Sequence, residues 1–88
     1  MKLKYDFDSV SIDEEVIAVP VGESSKDISG VLRLNEDASE IFSLLKEDTT
    51  EEAIVDTLAA KYDNDRDELA RFVHEVVAQL KEKGLIED

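Results

Sequence analysis

His74 and the carboxylates are the side chains with which this chain could do acid-base or metal chemistry. Its 88 residues hold one His, 23 Asp and Glu, and no Cys. Thiolate metal sites, disulfides and a cysteine nucleophile are therefore excluded. A general base or metal ligand needs a partner within reach. His74 falls away from the apolar stripe of its helix, with Ala70 one turn earlier on its face, so a solvated surface histidine is expected. Asp63, Asp65 and Asp67, or Glu51 with Glu52, suggest a Ca²⁺ loop by type, but the central Gly and position-12 Glu of an EF-hand are missing. Asp65, Asp67 and Glu68 fit a helix N-terminus instead, where negative charge is favourable. Gly22 and Gly30 belong to no phosphate-cradling motif, and no base is placed to activate a serine. The expectation is a protein that is not an enzyme, with no catalytic residue, cofactor or metal.

Size and charge narrow the remaining classes. At this length the chain supports one domain, residues 1–88, with a single modest core. The formal charge is −13, its acids spread evenly along the chain. Phosphate backbones are captured by Lys and Arg that release counterions, so nucleic acid is a poor partner. The N-terminus has no continuous apolar region, which argues against a signal peptide. No apolar run nears the roughly 20 residues of a membrane span, and a cytoplasmic protein without membrane contact is expected.

The elements follow from periodicity. Tyr5 and Phe7 alternate with Asp6 and Asp8, with Val10 and Ile12 nearby, as a first strand. Residues 16–21 form a β-prone run with Pro20 at its end or edge. Residues 22–27 read as a loop and 29–35 as a third strand. Three short neighbouring strands favour an antiparallel meander. Asn35 or Asp37 caps a first helix with Ala38, Ile41, Phe42 and Leu45 on one face. Thr49 with Glu52 forms a capping box for a second helix, which ends near Tyr62, and Asp65 with Glu68 forms one for a third. Along that last helix Leu69, Phe72, Val73, Val76 and Leu80 share a face, and Gly84 is its C-cap candidate, after which Leu85 and Ile86 return to the core. The fold class is α+β, three N-terminal antiparallel strands followed by three helices in a winged helix-turn-helix-like layout. A DNA-reading helix needs positive charge near its start, whereas this one begins with acids.

With catalysis and nucleic acid set aside, the third strand is the informative element. Gly30 to Leu34 is expected at a sheet edge beside the long helix, where unpaired N–H and C=O groups could take an extended peptide as an added strand. Guest side chains would enter a cleft lined on the strand by Leu32 or Val31 and on the helix by Phe72, Val76, Val77 or Gln79. The competing reading makes Phe72 and Val76 ordinary core.

The segments 37–63 and 67–86 resemble the PqqD-like family, also described as RiPP recognition elements. The marks are AsnGluAspAlaSerGluIlePheSerLeuLeu, the ThrThrGluGluAlaIle helix start, LeuAlaAlaLysTyrAsp and the closing LeuLysGluLysGlyLeuIle. The resemblance implies a winged helix-turn-helix-like domain that binds the leader segment of a ribosomally made precursor peptide. It presents that peptide to a modifying enzyme, often of the radical S-adenosylmethionine type. The leader would add to the third strand, at Gly30, Val31, Leu32, Arg33 and Leu34, against Phe72, Val76 and Gln79 of the third helix. Phe42 stands where members serving pyrroloquinoline quinone synthesis usually carry Trp. A structural adaptor that binds a folded partner without any peptide is the alternative.

Overall fold

The computed structural model describes residues 1–23, 26 and 30–87. In chain order these form β1 (Lys2–Leu3), β2 (Phe7–Ile12), β3 (Glu15–Pro20), β4 (Leu32–Asn35), α1 (Glu36–Leu44), α2 (Glu51–Lys61), α3 (Arg66–Glu82) and β5 (Ile86–Glu87). The expected arrangement of three antiparallel strands ahead of three helices is the observed one, with the sheet ordered β2-β3-β4. A second sheet, not anticipated, pairs β1 with β5 through Lys2↔Glu87 and Leu3↔Ile86.

Strand limits differ from expectation for local reasons. The first strand begins at Phe7, leaving Tyr5 outside it. A two-residue turn at Asp13 and Glu14, with Asp13 at φ +57, closes the β2–β3 hairpin on Ile12↔Glu15. Pro20 is the last residue of β3, where it interrupts no interior ladder bond. The third strand starts at Leu32, not at residue 29. Gly30 takes φ +88, outside strand geometry, and Ser29 lies outside the described residues, as does part of the expected 22–27 loop.

Caps place the helices. Asn35 Oδ1 accepts the Ala38 N–H at 2.8 Å, so β4 passes into α1 with no linker. The cap of α2 is Thr50, whose hydroxyl accepts the Ala53 N–H at 3.1 Å, and not Thr49. The Thr49 N–H is spent on the Met1 carbonyl at 2.8 Å. Asp65 caps α3 through the Asp67 N–H, one residue short of the Glu68 expected. At the other end of α3, Gly84 at φ +73 donates to the Lys81 carbonyl, and Leu85 donates to that of Leu80. These two bonds make a complete Schellman ending, which returns Leu85 to the core.

One core joins these elements. Ile41, Phe42 and Leu45 beside α1, Ile54, Val55 and Leu58 of α2, and Leu69, Val73, Val76, Val77 and Leu80 of α3 are buried with Phe7 and Ala18 of the sheet. The rings of Phe7 and Phe42 meet edge to face at 5.1 Å, a favoured aromatic geometry.

Candidate peptide-binding cleft

β4 lies at the edge of its sheet, and the register shows which of its groups are free. The Val21 N–H donates to the Asp6 carbonyl at 3.1 Å, which makes that a hydrogen-bonded antiparallel pair. Such pairs alternate with non-bonded ones along a ladder. Odd-numbered residues of β3 therefore turn their main-chain groups to β2, while Val16 and Ala18 turn theirs to β4. Their partners there are Leu34 and Leu32. Arg33, between them, directs both its N–H and its C=O away from the sheet, as does Val31 if the register continues one residue.

Beside this edge runs a cleft of about 570 Å³ between β4, the start of α1 and the second half of α3. Of the residues expected at a binding edge, Val31, Leu32, Arg33, Leu34, Phe72, Val76 and Gln79 line it. Gly30 does not; it sits ahead of the strand with a positive φ. Val77 is fully buried in the core and turned from the cleft. Phe72, Leu32 and Leu34 are half-buried against the core, and Val76 is buried, so each serves both core and cleft.

The sequence reading missed Asn35, Ala38, Glu75, Leu80 and Lys83, which also line the cleft. The signal was present. Phe72, Val76 and Leu80 form one row at spacing four along α3, and Glu75, Gln79 and Lys83 the adjoining row; extending Gln79 by a turn each way finds both neighbours. Arg33 and Lys83 set two cations against one carboxylate here, although the chain as a whole is strongly acidic.

Phe72 also borders a smaller cavity lined by Asp37, Glu40, Leu58, Tyr62, Asn64, Glu68 and Leu69. At its rim the Tyr62 hydroxyl donates to Glu40, whose other carboxylate oxygen lies 3.4 Å from Lys61 Nζ. The bond to Glu40 raises the Tyr62 phenol above its ordinary pKa, with desolvation and the charge of Glu40 acting in the same direction. His74, expected without a partner, meets Glu51 Oε1 through Nδ1 at 2.9 Å. The contact spans α2 and α3, beyond the reach of helical spacing. Both groups are solvated, and among the described residues no cluster of three or more His, Asp or Glu side chains could hold a metal ion. No helix there is long and apolar enough to cross a membrane.

A sheet edge beside a helix-walled cleft is an arrangement that can accept an extended chain as an added strand. The family described as Coenzyme PQQ synthesis protein D (PqqD) matches residues 14–86, and the chain belongs to that family. It is also similar to the solved structure titled "TbiB1 in Complex with the TbiA(beta) Leader Peptide", with 31% sequence identity over 99% of this chain and 95% of that one, and a TM-score of 0.73. No curated protein matches the chain.

Proposed function

We propose that this chain binds the leader segment of a ribosomally synthesised precursor peptide as an added strand on β4 and presents it to a modifying enzyme. The observation that carries this reading is the outward N–H and C=O of Arg33 on an edge strand that opens onto the cleft. Family membership and the leader peptide bound by the similar TbiB1 support it. Val31 and Arg33 supply main-chain bonds at the edge, with Gly30 at its approach. Leu32, Leu34, Phe72, Val76 and Gln79 receive the guest side chains that enter the cleft. The role is binding and delivery, not catalysis, and the peptide-modifying partner is of the radical S-adenosylmethionine type that the family resemblance implies. Nucleic acid is a poor partner, since the first turn of α3 carries Asp67 and Glu68 and the chain is strongly acidic.

Titration of ¹⁵N-labelled protein with the cognate leader tests the reading. Shifts at the amides of residues 30–35 and on one face of residues 69–80 are expected; shifts confined elsewhere refute it. Binding of the folded enzyme with no response to leader would establish the adaptor role instead.

A further inference from the structure

The outer face of the sheet breaks the usual alternation of a half-buried sheet, apolar inward and polar outward. Val16, Ala18 and Pro20 of β3 are buried inward, so Glu15, Ile17 and Val19 face out. Cross-strand partners share a face. The pairs Val10↔Ile17 and Ile12↔Glu15 therefore put Val10 and Ile12 outside as well, at 50% and 56% exposure. Val31, at 53%, falls opposite Val19 when the register is continued. None of these five aliphatic side chains belongs to the core or packs against it. In so charged a chain, a contiguous aliphatic face of this kind marks an interaction surface.

We propose that this face docks the modifying enzyme, through an enzyme surface apolar at its centre and basic at its rim. The inference rests on the leader-binding reading, and two observations select this occupant. Asp8 and Glu15 lie on the face, with Asp13 and Glu14 in the turn beside it. An acidic rim complements a basic partner and repels a second copy of a chain carrying −13. The face is also continuous with the open edge, because Arg33 pairs with Ile17 on it. A peptide strand added beside Arg33 would alternate its side chains between the cleft and this outer face. An enzyme seated here touches the leader as well as the protein, and so distinguishes a loaded carrier from an empty one.

The probe is the enzyme that modifies the precursor whose leader this chain binds, titrated by biolayer interferometry against the full chain. Val10→Lys with Ile12→Lys is expected to raise the enzyme Kd at least tenfold and leave leader affinity within twofold of wild type. Val10→Thr with Ile12→Thr keeps β-branched side chains and is expected to raise it at least threefold. Unchanged enzyme affinity in both variants overturns the proposal. So does a dimer in sedimentation that these substitutions dissociate, since a second copy then covers the face. Leader titrations run in parallel separate the two readings. A wild-type chain that takes no leader at β4 refutes the peptide reading, whereas normal leader binding with enzyme docking unaffected by the substitutions refutes only the docking face.

Discussion

Arg33→Pro is the most discriminating change available at β4. The Arg33 N–H points to the open edge, so replacing it with the ring of proline removes no bond to β3. Proline is tolerated on edge strands for this reason, and it holds the preceding Leu32 in the extended region that residue already occupies. The expected cost in stability is about 1 kcal/mol, from fitting the fixed φ of proline. A guest strand fares much worse. One main-chain hydrogen bond is worth about 0.5–1.5 kcal/mol, and the guest carbonyl left facing the ring without a donor costs about 1–3 kcal/mol more. Together these weaken leader binding roughly tenfold to a thousandfold or more.

Leu34→Pro is the matched control. Its N–H faces Val16, and its half-buried side chain packs against the core. This variant should lose about 2–4 kcal/mol of stability. Arg33→Thr, which keeps the N–H and discards the charge, should change leader affinity less than threefold at moderate salt. Fluorescence polarisation with labelled leader reads affinity, and urea unfolding of the same samples reads stability. Should Arg33→Pro bind leader like wild type while remaining folded, strand addition at this edge is wrong. If it unfolds and Leu34→Pro does not, the assignment of inward and outward groups is wrong.

Other consequences are simpler to check. Gly84→Ala should cost about 1–2 kcal/mol in urea unfolding: an added Cβ meets nothing within 4 Å, so the penalty is the backbone's alone, and Gly84→Asn should recover part of it. Tyr62, with its phenol held above the ordinary value first by the bond to Glu40, should titrate late by absorbance in a Tyr5→Phe background, and Glu40→Gln should bring it down. A raised pKa means that the stability from this contact is fully present below the unfolded pKa near ~10 and is lost as pH rises through the folded value. Phe42→Trp should lower stability by about 1–3 kcal/mol, because Phe42 is 1% exposed with the Phe7 ring already at 5.1 Å, and calorimetry would show it as a lower Tm.

Elements governed by neighbours in sequence were legible. The Asn35 cap and the buried face of Ile41, Phe42 and Leu45 need only short-range chemistry and a helical period. Gly84 was readable as a helix ending because a left-handed residue between two lysines and an apolar pair has few other uses. Pairings between distant segments were not legible. β1 and β5 are two residues each, too short for any period, and Lys2 meets Glu87 only because the folded core brings them together. In the ThrThr pair at 49 and 50 the choice of cap was settled from outside, by Met1 taking the Thr49 N–H. Most of the candidate cleft could be read, since an edge strand and one helix face define it; Ala38 and Lys83 depend on how α1 and α3 sit against β4.

The edge itself is short, and that decides where selectivity must lie. At one end Gly30 leaves strand geometry, and at the other Asn35 turns into the cap of α1. Val31 and Arg33 remain, offering at most four main-chain bonds worth about 0.5–1.5 kcal/mol each. Association alone costs about 4–15 kcal/mol, before any ordering of the peptide. For a leader added here, the open edge would set register and direction but would not hold it alone. The balance must come from apolar side chains entering beside Leu32, Leu34, Phe72 and Val76, each worth about 1.5–3 kcal/mol when fully buried. Two such anchors outweigh the whole edge at its weaker limit. Any backbone can use the ladder, but only a peptide with apolar residues two apart can fill the cleft while bonded to β4, and that spacing is what this chain would read in its client.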